Sequence, residues 1–167
     1  MQQLVKLYQQ WAGTEPAHIE QLAGAGSNRQ YYRITAADGA TVIGVVGTSR
    51  EENHAFVYLD RHFVHHKLPV PAVLAVSDDE MRYLQTDLGS TSLFDAIRGG
   101  REAGGRYDLA EQTLLKRTIR ALPDLQIRGA NDLDWNQCYP QPVFDEDNVL
   151  FDLNYFKYDF LKLTGLD

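Results

Sequence analysis

The sequence predicts an α+β fold built on a five-stranded antiparallel sheet and one helix, with further helices after it. Three observations support this prediction. Two β-rich segments are joined by Asp38-Gly39, a strong hairpin signal. An amphipathic helical pattern follows them, and two more β-rich segments come after that helix. Because a further strand is expected to begin near Ile19, the predicted order is three strands, a helix and two strands.

A helix over residues 2–12 is expected to begin the chain, and Gly13 is a natural stop for it. The apolar side chains that share one face of this helix are Leu4, Val5, Tyr8 and Trp11. The two β-rich segments of the first hairpin are residues 29–37 and 40–47.

The helix between the third and fourth strands is expected over residues 51–66. The apolar side chains that recur at helical spacing are Phe56, Leu59 and Phe63. Pro69 and Pro71 end this helix, because proline cannot continue the backbone hydrogen-bond ladder. The last two strands are predicted at 72–77 and 81–87, with an acidic turn between them.

A Gly/Arg-rich segment at 98–106 is the predicted internal boundary. It separates a lobe at 19–97 from a helical region at 107–167, and residues 1–18 carry the N-terminal helix. The helical region contains predicted helices near 108–122 and over 148–164. Their apolar faces are formed by Leu115, Ile119 and Leu122 in the first and by Phe156, Phe160 and Leu163 in the second.

Aromatic side chains crowd the last predicted helix. They are Phe151, Tyr155, Phe156, Tyr158 and Phe160. A buried aromatic side chain covers about 150–250 Å² of surface, whereas chain termini are usually loosely packed. We therefore expect these rings to pack on the preceding helices or, by preference, on sequence that is not present in this chain.

Composition narrows the class of protein. The formal net charge is −7 and the pI is about 5.1, which disfavours binding to nucleic acid or to an anionic membrane. There is no signal-peptide pattern and no long apolar run. The single cysteine, Cys138, excludes an internal disulfide and a cysteine-cluster zinc site. We expect a soluble, cytoplasmic protein.

Four segments, taken in order and with their spacing, resemble a known family. They are residues 24–34 (GAGSNRQYYRI), 52–74 (ENHAFVYLDRHFVHHKLPVPAVL), 83–94 (YLQTDLGSTSLF) and 152–163 (DLNYFKYDFLKL). The chain resembles the aminoglycoside-phosphotransferase-like family of the protein-kinase-like fold, and is most similar to its bacterial anomeric kinases of N-acetylmuramic acid and related sugars. The resemblance implies a kinase-like N-lobe with one αC-type helix, followed by the first helices of an incomplete C-lobe.

The resemblance implies a phosphate-covering loop before the second strand, formed by Gly24, Gly26, Ser27 and Asn28. Glycine lets a backbone approach phosphate closely, and amide and hydroxyl groups donate hydrogen bonds to it. Arg29 or Arg33 could add positive charge. The alternative interpretation is a glycine-containing hairpin loop without a ligand. The segment is not a Walker A loop, because no GK[ST] follows.

The third strand, TVIGVVG, contains no lysine, although kinases place there the lysine that grips the α- and β-phosphates. We predict that Arg33 on the neighbouring strand takes its place; the alternative is that Arg33 lies on a solvated strand face. Glu52 would orient the cation, as a glutamate of this helix does in kinases. Otherwise Glu52 is a first-turn acid that the helix dipole favours.

The resemblance makes YLQTDLG a hinge whose backbone contacts the edge of adenine. The hinge residues are Gln85, Thr86, Asp87 and Leu88. The side chains expected to cover the faces of the base are Val42, Val45 and Leu84. The alternative is a plain strand end followed by an aspartate-containing turn.

No metal-binding residue is predicted. His62 and His66 lie four apart, but there is no H-E-x-x-H motif and no evident third ligand. Asp145 and Asp147 lie in an acidic run that lacks the glycine and closing glutamate of an EF-hand. Both are interpreted as acids of a solvated loop and helix start.

Phosphoryl transfer in this fold needs an H/Y-x-D-x-x-x-x-N loop and later metal ligands. Neither an H-x-D nor a Tyr-Arg-Asp tripeptide occurs, so no catalytic residue is assigned. The resemblance implies the nucleotide-binding portion of a phosphotransferase that uses ATP and Mg²⁺ to phosphorylate a small hydroxylated substrate such as a sugar. We expect this chain to be a truncated portion, inactive alone, whose missing C-lobe is its partner.

Two other classes stay open. A non-catalytic, kinase-like interaction module is slightly favoured by the absence of the strand-three lysine. A PAS-like sensor domain also combines a five-stranded antiparallel sheet with helices, but its helix would not lie between the third and fourth strands.

Overall fold

A computed structural model describes residues 1–24, 26 and 28–165 of the chain. Contacts divide the chain into two compact units, Met1–Leu133 and Asp134–Asp167. Among the described residues, the first unit contains a five-stranded sheet in which every paired strand is antiparallel. This confirms the predicted α+β class.

The first unit begins with helix α1 (Gln2–Ala12) and strands β1 (His18–Gln21), β2 (Gln30–Thr35) and β3 (Thr41–Val46). Helix α2 (Arg50–His65) and strands β4 (Val73–Val76) and β5 (Arg82–Thr86) follow. Helices α3 (Leu93–Ala96), α4 (Arg98–Glu102) and α5 (Leu109–Pro123) lead into a π-helical turn, Asp124–Arg128. The strand order is β1-β2-β3-β5-β4, and α2 connects β3 to β4 as predicted.

The β2–β3 hairpin turns at the predicted dipeptide. The Asp38 carboxylate accepts the Ala40 N–H at 2.9 Å. Gly39 has a φ of 86°, a left-handed conformation that glycine adopts without steric cost. The turn therefore sets the register that pairs Thr35 with Thr41.

Helix α1 covers one face of the sheet, here called the α1 face. Its buried residues are Leu4, Leu7 and Tyr8, and they cluster with Tyr32, Ile34, Val42 and Leu84 of the strands. The predicted helix face is partly wrong. Trp11 is 43% exposed and Leu7 is buried instead, because the contact runs along the i, i+3, i+4 positions that begin at Leu4.

Helix α2 packs on the opposite face, here called the α2 face. Ile43, Val45 and Tyr83 form its buried centre, and Phe56 of α2 packs against them. The helix begins at an N-cap serine, Ser49, whose side chain accepts the Glu52 N–H. Hydrophobic side chains thus cover both faces of the central strands.

The Gly/Arg-rich segment at 98–106, predicted as a linker and internal boundary, begins with helix α4. Buried Glu111 explains this, because its carboxylate accepts the N–H of Gly100 at 2.8 Å and that of Asp108 at 3.0 Å. Tyr107 closes over Gly100, so that no side chain fits there. The predicted helix near 108–122 is confirmed as α5, but the Ile119 side chain on its predicted apolar face is exposed.

The second unit contains a short 3₁₀ turn (Trp135–Gln137) and helix α6 (Glu146–Tyr155). A π-helical segment (Phe156–Phe160) and a 3₁₀ segment (Leu161–Thr164) continue α6, so the predicted helix over 148–164 is confirmed with a change of pitch. The five crowded aromatic side chains are all exposed. Phe151, for example, is 70% exposed.

No helix within residues 1–24, 26 and 28–165 has both the length and the apolar character that crossing a bilayer requires.

Gly44 lies where β3 meets α1, and this contact leads to a stability prediction. A Cβ atom at Gly44 would lie 2.9 Å from side-chain carbons of both Leu4 and Ile34. Gly44→Val is expected to lower the free energy of unfolding by about 1–3 kcal/mol in urea titrations. Leu4→Ala removes one of the crowding groups, so the double variant should lose less stability than the sum of the single variants. Additive losses would contradict this packing.

Candidate functional site

Strand register places the glycine-containing loop and the predicted hinge at opposite ends of the sheet. Gln30, which follows the loop, pairs with Val46, and Val46 pairs with Arg82 at the start of β5. The hinge begins near the other end of β5, at Gln85, three residues later, which corresponds to about 10 Å along a strand. An elongated ligand could therefore contact both, lying along the strands.

The glycine-containing loop presents its described residues to solvent. Gly24, Gly26 and Asn28 are exposed, and Gly26 has a φ of 77°. Ser27, the fourth predicted phosphate-binding residue, lies outside the described residues. The exposed backbone at Gly24 and Gly26 carries no side chain that would hinder the approach of an anion.

Arg29 lies beside Glu52 of α2. The Arg29 Nη2 atom is 2.9 Å from the Glu52 carboxylate and 3.4 Å from the Glu52 carbonyl oxygen. The arginine side chain is only 12% exposed, whereas the glutamate side chain is 41% exposed. The predicted partnership between Glu52 and a cation is therefore present, with Arg29 as the cation.

Arg33 has a different partner. Its Nε and Nη2 atoms donate to the two carboxylate oxygens of Asp87 at 2.6 and 3.3 Å, a bidentate geometry. The Asp87 side chain is 5% exposed, and its carboxylate also accepts the Gly89 N–H at 2.8 Å. Arg33 thus ties β2 to the segment after β5, away from Glu52.

The Arg33 guanidinium is the main reason that the pKa of Asp87 lies below its ordinary value. Burial opposes this effect, and the Gly89 N–H and the Thr41 side chain add to it. Asp87 also raises the pKa of Arg33 through the same hydrogen bonds. The pair is ionised at neutral pH, and it holds the predicted hinge to the sheet.

The hinge residues differ in what they could offer a ligand. The Thr86 N–H donates to the Ala72 carbonyl at 3.0 Å, and the Thr86 hydroxyl accepts the Ala72 N–H at 3.0 Å. Leu88 is exposed. The side-chain oxygen of Gln85 is buried without a hydrogen-bond partner among the described residues. Thr86 therefore uses both its N–H and its hydroxyl in hydrogen bonds within the protein.

The predicted set of adenine-covering side chains is wrong in part. Val42 and Leu84 belong to the cluster under α1, whereas Val45 belongs to the cluster under α2. Neighbouring residues of a strand point to opposite faces, so these three side chains cannot line one pocket. Because both faces of the central strands are apolar, the sequence lacks the alternation of apolar and polar residues that would have assigned these side chains to different faces.

The histidines have partners of their own. A ring nitrogen of His54 lies 3.0 Å from the Glu80 carboxylate, and His62 Nε2 lies 2.9 Å from the Gly129 carbonyl oxygen. Asp145 is confirmed as a helix-start acid, because it caps α6 by accepting the Asn148 N–H. Over the residues that the structure describes, no group of three or more His, Cys, Asp or Glu side chains is arranged to hold a metal ion.

Sequence reasoning missed the side-chain role of Asp87 and preferred the wrong arginine for Glu52. Alternation along β2 does place Arg33 on the α2 face, opposite Ile43. Nothing local shows which acid an arginine meets, since Arg33 and Asp87 are 54 positions apart. The signal that could have indicated a role for Asp87 was its position as a lone aspartate at the end of a strand.

No protein-family model matches the sequence. No curated protein sequence matches it either.

The Arg33–Asp87 pair generates a prediction about stability and pH. Asp87→Asn should lower the melting temperature at pH 7 by several degrees, because it leaves Arg33 without its carboxylate. Because the pKa of Asp87 is lower in the folded than in the unfolded state, its ionised carboxylate stabilises the fold at pH values above the unfolded pKa, about 3.9. This stabilisation is lost as the pH falls through the lower folded-state pKa. The difference between the wild-type and variant proteins should therefore shrink on acidification below about pH 4.

The matched control is Asp95→Asn, which removes an exposed aspartate bound to Arg98 three residues along the chain. Surface pairs of this kind contribute little to stability. Thermal unfolding should show a clearly smaller change for the control. Equal changes in the two variants, or a difference for Asp87→Asn that does not depend on pH, would contradict the role given to this pair.

Proposed function

We propose that this chain is the nucleotide-binding portion of a kinase-like, ATP-dependent phosphotransferase whose acceptor is a small hydroxylated molecule such as a sugar. The observation that carries the proposal is the Arg29–Glu52 ion pair next to the glycine-containing loop. In kinases a glutamate of the corresponding helix orients the cation that grips the phosphates. Here Arg29 would supply the charge that the lysine-free third strand does not.

The arrangement of the sheet supports the same proposal. A five-stranded antiparallel sheet with one helix between β3 and β4 is what a kinase-like N-lobe requires, and a PAS-like domain would not have its helix there. The glycine-containing loop and the hinge lie at the two ends of the strands, so phosphates and base would lie at opposite ends of the site. Asp87 would hold the hinge backbone in place through Arg33.

The fit to each expected cofactor differs. For ATP, Arg29 offers a guanidinium that suits phosphate oxygens, and Gly24 and Gly26 leave the backbone accessible. For Mg²⁺, the described residues provide no suitable group of ligands. No metal-dependent step and no catalytic residue is assigned, because the sequence contains no H/Y-x-D-x-x-x-x-N motif.

A non-catalytic interaction module is the second candidate. The exposed aromatic side chains of the second unit favour it, because large exposed apolar surfaces mark contact sites. The two candidates differ in one measurable property: the phosphotransferase portion should bind ATP, whereas the interaction module need not.

ATP binding is therefore the test of the proposed function. ATP at 100 times its Kd should raise the free energy of unfolding by about 2.7 kcal/mol. Arg29→Gln is expected to weaken ATP roughly tenfold while leaving adenosine affinity unchanged, because Arg29 lies at the phosphate end of the proposed site, away from the base. Isothermal titration calorimetry and thermal unfolding would measure both effects.

Arg98→Gln is the matched control, because Arg98 is exposed and pairs with Asp95 far along the chain from the loop. It should leave ATP affinity unchanged. The contradicting outcome is that the chain unfolds cooperatively but is not stabilised by millimolar ATP, with or without Mg²⁺. This result would contradict the phosphotransferase proposal and favour the interaction module.

A further inference from the structure

The Arg29 guanidinium is held from a second direction, by an aromatic ring. Its central carbon lies 5.1 Å from the centroid of the Phe56 ring. This is within the distance at which a cation is attracted to the face of a ring. Glu52 and Phe56 lie four residues apart on α2, so one face of one helix presents both a carboxylate and a ring to the same cation.

Phe56 is itself supported from behind. Its ring stacks on Tyr83 of β5, with centroids 5.0 Å apart and an interplanar angle of 25°. Tyr83 is fully buried, and its hydroxyl has no hydrogen-bond partner within the part of the chain that the structure describes. Burial raises the pKa of this phenol, so it stays neutral. Tyr83 therefore contributes a fixed ring surface rather than a hydrogen bond or a charge.

We infer that Phe56 is a positioning residue whose ring lies against the Arg29 guanidinium and directs its N–H donors toward the phosphates of a nucleotide. The inference rests on the proposed function and specifies how its cation is oriented. A guanidinium held against a ring keeps its N–H donors in its own plane, where they bind carboxylates and phosphates. A lysine ammonium has no such plane, which explains why an arginine suits this position.

Two substitutions separate this role from simple packing. Phe56→Tyr keeps the ring, whereas Phe56→Leu keeps an apolar side chain but removes the ring. The inference predicts that Phe56→Leu weakens binding of ATP and of inorganic triphosphate about two- to fivefold, with adenosine unchanged. Phe56→Tyr should bind all three ligands like the wild-type protein.

A second measurement needs no nucleotide. The side-chain N–H resonance of Arg29, assigned with Arg29→Lys, should show a ring-current shift in the free protein. Phe56→Leu should abolish that shift and Phe56→Tyr should retain it. If Phe56→Leu does not fold, Arg29→Lys tests the same contact through its other member, because lysine keeps the positive charge but lacks the planar guanidinium. It should then weaken ATP and leave adenosine unchanged.

The outcomes are distinct. Unchanged ATP affinity in Phe56→Leu, or equal weakening of ATP and adenosine, would overturn this inference and leave the proposed function standing. If Arg29→Lys is the variant used, unchanged ATP affinity would overturn it equally. A wild-type protein that binds neither ATP nor triphosphate, although the Arg29 resonance is shifted, would overturn the proposed function and the phosphate role together. Selective weakening of the two phosphorylated ligands would support both.

Discussion

Two hydrogen bonds made by buried side chains of helix α2 hold it against the sheet and the turn before β5, and the candidate site depends on them. Asn53 donates to the Glu80 carbonyl oxygen at 2.9 Å, and Asp60 accepts the Val73 N–H at 2.8 Å. These residues lie two helical turns apart and flank Phe56. Burial raises the pKa of Asp60 although the Val73 N–H favours its ionised form. Because directed bonds fix both the position and the rotation of α2, Glu52 and Phe56 reach Arg29 together.

The two arginines of the candidate site make separate structural connections in a chain whose formal net charge is −7. Arg29 connects the glycine-containing loop to α2, and Arg33 connects β2 to the segment after β5. Each pair joins parts of the chain that are more than 20 residues apart. Each arginine is thereby paired with a carboxylate at one end of the proposed nucleotide site, the loop end through α2 and the hinge end through β2.

Much of the fold could be predicted because its signals are local. The Asp38-Gly39 turn, the prolines after α2 and the helical spacing of apolar residues each act over a few residues. The site was harder. A cation was expected beside Glu52, but Arg33 was preferred to Arg29 as that cation. Val42 and Leu84 were grouped with Val45 because apolar residues lie on both faces of β3. Alternation in the sequence therefore did not show that these side chains lie on different faces.

The amino-acid sequence was sufficient to establish the α+β class, the number of strands and their order along the chain, and the helix between β3 and β4. Periodicity and turn chemistry are properties of neighbouring residues, and they survive without any knowledge of distant contacts. Only the tertiary structure determines that Arg29 contacts Glu52 and Phe56 and that Arg33 contacts Asp87. Long side chains choose among several possible partners, and only the packed arrangement of helix and sheet brings one of them within hydrogen-bond distance.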